Sequence, residues 1–387
     1  MKIKSFRIFG IILLLPYLGY SQALTKQYRV VSSAVPFLTI SPNSKAASMG
    51  DAGVASTPDA SSLFWNTSKL AFIENKTGAS LSYAPWLRDL VQDMSLLNAV
   101  GYHKISDKQT LTAGLTYFNQ GEIEFTNAQG NTNGKFTSRE FVFAAGIAQK
   151  LNQDFSMGLN LKYISSNLVG TNVIGGQAGK PGRTAAFDLG IYYNKNRPTD
   201  KDVKKVDYAF GLVLQNLGGK INYGFGEYYI PANLKLGTSI SIKPDNHNNF
   251  NFLIDFNKLL VPTPDSTGKV PNVGSFSAVF SSFSDAPDGF KEEIREFMGS
   301  VGVEYNYDNF FAIRGGYFFE PISKGGRKYA TMGAGIKLKE TYSIDLAYLI
   351  PTNAGNPLAN TWRLSFNINL PNKSKGTVKE TEADITE

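Results

Sequence analysis

The chain has 387 residues, 42% hydrophobic and 18% charged, a balance that excludes wholesale disorder and suits one large or two ordinary domains. It has no cysteine, which excludes disulfides, thiolate metal sites, a cysteine nucleophile and a lipid-modified N-terminal cysteine. The formal charge of +7 falls to +4 once Lys2, Lys4 and Arg7 are set aside with a leader, and the remaining basic residues, as in "NKNRPTDKDVKK", do not interleave with stacking aromatics, so nucleic acid is not an expected partner.

Residues 1–22 read as a secretory signal peptide. Lys2, Lys4 and Arg7 precede the apolar run Ile8 to Leu15, and small or polar residues follow to about Ala23. The run is well short of the roughly 20 residues that a spanning helix needs. Residues 23–77 come next and contain "MGDAGVASTPDASSLFWN", Met49 to Asn66, a stretch too polar for a buried helix and too poor in alternation for a strand.

From about Gly78 one pattern repeats: segments of roughly 9 to 12 residues alternate apolar with polar or small side chains and are separated by turn formers. In "FSMGLNLKY", Phe155, Met157, Leu159, Leu161 and Tyr163 share one face, while Ser156, Gly158, Asn160 and Lys162 share the other. Fourteen strands are predicted, near 78–84, 91–105, 109–121, 138–151, 155–168, 183–194, 206–216, 231–243, 248–258, 296–306, 309–319, 327–338, 341–350 and 360–370. Short turns ("SDK", "NQD", "NYD", "KET") alternate with long connections at 122–137, 169–182, 217–230 and 259–295.

That asymmetry predicts an all-β, antiparallel, up-and-down transmembrane barrel of about 14 strands over 78–371, with short periplasmic turns and long outer loops, in contact with outer-membrane lipid. A soluble sandwich would alternate too, but it would not sort its loops by length. Aromatics near strand ends, including Tyr83, Tyr102, Tyr163, Tyr192, Tyr193, Tyr229, Tyr305, Tyr307, Phe310, Tyr329, Tyr348 and Trp362, suit interfacial girdles. No mature segment has eighteen consecutive apolar residues, which excludes a helical membrane protein. In an even-stranded barrel both chain ends fall on the short-turn side, so residues 23–77 are placed to fold up into the lumen. The tail, 372–387, has the composition of a disordered periplasmic segment.

A lumen already lined with side chains leaves little room. An inserted plug therefore favours small residues, with a few large ones to anchor it. Met49, Gly50, Asp51 and Gly53 supply the first kind of sequence, and Leu63, Phe64, Trp65 and Asn66 the second.

The stretch from Ala34 to Asn66 resembles the N-terminal signature of the PorV family of the type IX secretion system of Bacteroidota, itself similar to the FadL-like superfamily. The resemblance is carried by Pro36-Phe37-Leu38, Ser41-Pro42, Met49-Gly50-Asp51-Ala52-Gly53-Val54-Ala55, Asp59-Ala60 and Phe64-Trp65-Asn66. Where the wider FadL-like pattern continues Trp-Asn-Pro-Ala, this chain has Thr67-Ser68, which removes a fixed φ and restores a backbone donor. The resemblance implies a fourteen-stranded barrel with an N-terminal hatch that is not the protein-conducting pore. It also implies partners: the large translocon subunit, cargo carrying a C-terminal secretion signal, and a sortase-like attachment subunit. The alternative is a FadL-like outer-membrane transporter of a hydrophobic small molecule. A continuous greasy pocket beneath the hatch would favour transport, and a filled lumen with apolar outer loops would favour secretion.

No catalytic, cofactor-binding or metal-binding set is predicted. The two histidines, His103 and His247, fall at turns, and neither a G-x-S-x-G elbow nor H-E-x-x-H occurs. The acidic cluster Asp285, Asp288, Glu292, Glu293 and Glu296 interleaves with Lys291 and Arg295 and reads as a short solvated helix in the longest loop rather than a cation site. The same loop carries Phe276, Phe280, Phe283 and Phe290 in a connection that should face water, which makes it a candidate partner-binding surface. Packing of these rings back on the rim, or an extra strand, are the alternatives.

Overall fold

The computed structural model describes residues 28–370 apart from 127–128, 175, 196–204, 340 and 353–355. The predicted signal peptide and the tail 372–387 lie outside the described residues. Fourteen long strands form one sheet: β1 (Thr77–Pro85), β2 (Ser95–Lys104), β3 (Gln109–Thr126), β4 (Thr132–Lys150), β5 (Phe155–Asn167), β6 (Gly182–Lys195), β7 (Lys205–Gly218), β8 (Asn233–Lys243), β9 (Asn248–Leu259), β10 (Met298–Tyr307), β11 (Phe311–Phe319), β12 (Lys328–Leu338), β13 (Tyr342–Pro351) and β14 (Trp362–Leu370). Each pairs antiparallel with its neighbours in sequence, and β1 closes on β14 from Thr77 opposite Leu370 to Tyr83 opposite Leu364. Among the described residues four short α-helices lie outside the sheet, α1 (Ser44–Ala47), α2 (Ser62–Trp65), α3 (Ser275–Ser281) and α4 (Phe290–Ile294), with 3-10 turns at Pro36–Thr39, Thr67–Phe72 and Ile322–Lys324.

Closure follows from the period-two pattern. Phe155, Met157, Leu159, Leu161 and Tyr163 on β5 are exposed on the outer face, whereas Ser156 and Asn160 are buried inside. Such a wall is apolar outside and polar inside, and every ladder hydrogen bond is made within the sheet, as hydrocarbon requires. At one rim the strands turn within three or four residues, at 105–108, 151–154, 244–247 and 308–310. The left-handed φ of Asp308 (56°) and Asn309 (51°) shows how tight one of these turns is. The long connections sit at the other rim.

The structure corrects several boundaries. Residues 91–94 belong to the connection before β2. The predicted loop 122–137 is largely strand: β3 and β4 rise beyond the barrel as one hairpin to Thr126 and from Thr132, with register shifts between Asn119 and Glu122 and between Glu124 and Thr126. Both faces of that extension meet water, and although Ile123 and Phe125 alternate with Glu122 and Glu124, the polar run from Thr126 to Gly134 reads as a loop. Tyr102, Tyr192 and Tyr329 are not girdle residues. They point inward and are 3%, 2% and 6% exposed. The connection 260–297 holds α3 and α4 and no strand among its described residues.

Candidate functional site

Residues 28–73 pack against inward-facing side chains right round the barrel. The start of this segment is at the long-loop rim. Arg29 Nη1 lies 2.8 Å from Glu292 and 3.1 Å from Asp288, and the Ala34 N–H donates to the Tyr229 carbonyl at 2.8 Å. Val35, Phe37 and Leu38 are buried among Leu96, Val142, Ile164, Ile221 and Tyr223, with Phe37 stacked on Phe118 at 6.0 Å. The expectation that the segment rises from the short-turn side therefore holds only where it joins β1, because its apolar beginning finds its buried site at the opposite end. From there the chain descends, binding Ser365 on β14 through the Ser44 N–H (2.9 Å), Ser156 on β5 through the Ser68 carbonyl (2.7 Å) and Thr110 on β3 through the Leu70 carbonyl (2.9 Å).

The motif residues meet the wall at its closest approach. Gly50 has φ +67°, and a Cβ there would lie 2.6 Å from the Tyr317 backbone; a Cβ on Gly316 of β11 would overlap Gly50 N and the Met49 carbonyl carbon. Backbone touches backbone here, which only glycine on both sides permits. The contact is fixed by hydrogen bonds. Gly50 N–H donates to Thr331 Oγ1 (2.8 Å), while Gly53 and Val54 N–H both donate to one oxygen of Asp255 on β9 (2.7 and 2.9 Å). Asp51 accepts from Tyr329 Oη (2.6 Å) and lies 3.5 Å from Arg363. Met49 is buried against Leu253.

The anchor residues hold the other side. Trp65 packs edge-on to Phe64 (5.1 Å) and donates from Nε1 to Asn43 (2.9 Å), with the Lys235 ammonium 4.6 Å over the Trp65 ring. Leu63 enters a cluster with Leu70, Val100 and Ala144. Asn66 reaches the Ile191 carbonyl on β6 (3.2 Å) and accepts from Ser68 N–H (3.2 Å), capping the 3-10 turn Thr67–Phe72. An asparagine cap thus closes this turn through the Ser68 N–H.

Two of the spaces left inside bear on function. A polar cavity of about 440 Å³ lies toward the short-turn rim, lined by Asp59, Asp207, Asn249, Glu304, Arg314 and Asp345 among others. Within it Arg314 bridges Glu304 (2.6 Å) and Asp345 (2.6 Å). The apolar space beside Phe37, Leu38, Leu63 and Phe64 is only about 40 Å³.

The family model for type IX secretion system protein PorV matches residues 23–266. The chain belongs to the PorV family. Three solved structures are similar to it. The TodX deltaS2S3 mutant monoaromatic hydrocarbon channel has a TM-score of 0.50 at 13% identity, covering 84% of this chain and 96% of that one. The Pseudomonas putida toluene transporter TodX scores 0.49 at 12% (83% and 95% covered), and a Pseudomonas aeruginosa FadL homologue 0.44 at 12% (88% and 99%). At such identities the likeness is one of fold alone. No curated protein matches. Together the family and the closed sheet make this an outer-membrane, multi-pass barrel.

In this PorV-family barrel Asp288 is exposed as expected, but the three glutamates of the acidic loop cluster are not solvated. Glu292, Glu293 and Glu296 are 4%, 6% and 5% exposed. Lys324 lies 2.7 Å from both Glu292 and Glu296, Lys258 pairs with Glu293 (3.1 Å) and Glu296, and Thr263 donates to Glu296 (2.6 Å). Burial pushes the Glu292 carboxyl up, but the bonds from Lys324 and the Asp288 N–H and the charge of Arg29 outweigh it and hold the group below the ordinary glutamate range. Oxygens of Asp285, Glu293 and Glu296 lie within 4.8 Å of one another, yet the Lys258 ammonium already neutralises two of them. Of residues 291–296, Lys291, Ile294 and Arg295 turn outward. His103 and His247 are exposed near the short-turn rim, as expected, with His247 3.0 Å from Asp308.

The four loop phenylalanines are separated by the fold. Phe276 and Phe280 lie in α3 and Phe283 just after it, at 61%, 75% and 47% exposure, with Phe276 beside Phe187 of β6. Phe290 opens α4 and is 78% exposed, next to Ile294 at 54%.

Proposed function

We propose that this barrel is the type IX component that binds the large translocon subunit and cargo bearing a C-terminal secretion signal, and passes that cargo to a sortase-like attachment subunit. Residues 23–77 serve as a hatch that keeps the barrel shut, and the chemistry is binding rather than catalysis. The observation that carries this reading is the filled lumen, in which residues 28–73 bond to strands on every side and leave an apolar space of about 40 Å³. That is a small fraction of the roughly 300 Å³ or more typical of a ligand pocket. The competing reading, a FadL-like carrier of a hydrophobic small molecule, is favoured only by the shared architecture, and the larger cavity is polar and on the short-turn side.

With the lumen closed, recognition falls to the outer rim. Phe290 and Ile294 stand exposed on α4, whose buried carboxylates tie it rigidly to the barrel mouth through Arg29, Lys258 and Lys324. A rigidly held exposed aromatic suits a docking anchor. Replacing Phe290 and Ile294 together by serine should lower recovery of the translocon subunit on detergent co-purification about tenfold or more, as loss of a hot-spot aromatic does. Undiminished recovery would withdraw this surface.

A further inference from the structure

The segment carrying α3 lies along the outside of the barrel, not over its mouth. Exposed Leu189 and Ile191 on β6, and Val206, Tyr208 and Phe210 on β7, mark the outward faces; by the same alternation Phe187 and Leu214 point outward. Val279 of α3 packs with these two and with Leu234 of β8 against the buried cluster Leu217, Ala232 and Leu260, and Phe276 lies 6.5 Å from Phe187. On β9 the outward series Phe250, Phe252, Ile254, Phe256 continues to Lys258, which is opposite Leu234 in register. That lysine is nonetheless 1% exposed. Glu293 and Glu296 neutralise it, and the rings of Phe283 (5.9 Å) and Phe297 (5.8 Å) flank it.

The height is set by geometry. The ten steps from Asn248 to Lys258, at about 3.4 Å each and a tilt near 40°, climb about 26 Å, which is the height of the apolar band of an outer-membrane barrel. Lys258, Leu234 and the α3 residues packed on them therefore lie at the upper boundary of the lipid. A bare outward lysine there would face hydrocarbon, and the loop seals it. The fifteen residues 270–284 that pass across this level, between Lys269 and Asp285, contain neither an acidic nor a basic residue, so the helix itself, Ser275–Ser281, carries no charge.

We propose that α3 is an in-plane membrane segment whose Phe276 and Phe280 enter outer-leaflet lipid beside β6 to β8. The exposed rings continue the lipid-facing wall without a break, and lipid is the occupant that wall already has. An amphipathic segment of this kind buries its apolar face roughly 5–10 Å into the headgroup and acyl boundary.

Because the chain has no cysteine, single labels are clean. Phe280→Cys, Phe252→Cys and Lys291→Cys would each be made in the full-length protein, spin-labelled, and reconstituted in vesicles of phosphatidylcholine and phosphatidylethanolamine. Collision of the label with oxygen, which partitions into hydrocarbon, is compared with collision with a water-soluble nickel chelate. The oxygen-to-chelate ratio at 280 should exceed that at 291 several-fold and approach that at the mid-wall position 252. A ratio at 280 equal to that at 291 would place α3 in water, as a protein-docking surface requires, and would overturn the proposal. Exclusion of both reagents at 280 would mean that a second copy covers the helix, and would overturn it too. The secretion role can fail without affecting this result, since purified protein and lipid alone are used.

Discussion

Replacing Gly316 by alanine is expected to push the N-terminal segment off the wall while leaving the barrel folded. The added methyl group would overlap Gly50 N and the Met49 carbonyl carbon, both backbone atoms, so no rotamer change relieves the collision. Overpacking costs about 1–3 kcal/mol where side chains can yield, and a backbone collision belongs at the top of that range or above it. Moving the Met49–Val54 turn also breaks the bonds to Thr331 and to both N–H groups held by Asp255. In planar bilayers the wild-type protein should be closed and Gly316→Ala should show frequent openings. The neighbour provides the control, because Gly315 faces outward with nothing nearer its Cβ position than 3.8 Å, and Gly315→Ala should behave as wild type. Equal conductance for the two variants would mean that the close approach at Gly50 does not hold the lumen shut.

Replacing Arg314 by leucine should be the most destabilising single change to the wall. The guanidinium bridges Glu304 and Asp345 at 2.6 Å each, and removing it leaves two carboxylates, 4% and 6% exposed, hydrogen-bonded by the amides of Asn251 and Asn367. Breaking a buried pair from one side costs about 3–5 kcal/mol, and the adjoining polar cavity points to the lower end of that range. The midpoint of urea unfolding from lipid vesicles should fall accordingly. Adding Glu304→Gln and Asp345→Asn should return most of the loss, since the cost lies in stranded charge rather than in lost volume. A small effect of Arg314→Leu, or no recovery in the triple variant, would contradict this.

The barrel was legible in the sequence wherever a strand has lipid on one side and water or polar side chains on the other. In β5 and β14 alternation is strict for that reason. It was not legible in the upper part of β3 and β4, where Ile123 and Phe125 alternate with Glu122 and Glu124 but the polar, glycine-containing run from Thr126 to Gly134 reads as a loop. Tyr102, Tyr192 and Tyr329 looked like girdle residues by position along their strands, but an inward tyrosine with a hydroxyl partner, such as Asp51 for Tyr329, has the same one-dimensional signature.

The small residues of "MGDAGVAS" announced a close approach, and Gly50 against Gly316 is one. What they meet could not be read, since Asp255 and Thr331 lie 202 and 281 residues from their partners. Distance in sequence also hid the burial of the acidic loop. Lys258 and Lys324 stand 35 and 32 residues from the glutamates they neutralise, and Arg29 stands 263 away, so local charge alternation suggested a solvated helix. The loop phenylalanines were visible, but their division between the outside wall and α4 depends on which way the connection folds over β9.

The central claim is that a shut barrel of this family serves protein delivery rather than solute uptake. It is tested most directly by deleting the gene and comparing, in the same cells, the proteins at the surface with the uptake of a long-chain fatty acid and of a monoaromatic hydrocarbon. Cargo bearing the C-terminal signal should vanish from the surface and accumulate in the periplasm while uptake is unchanged. A normal surface population with impaired uptake would contradict the account.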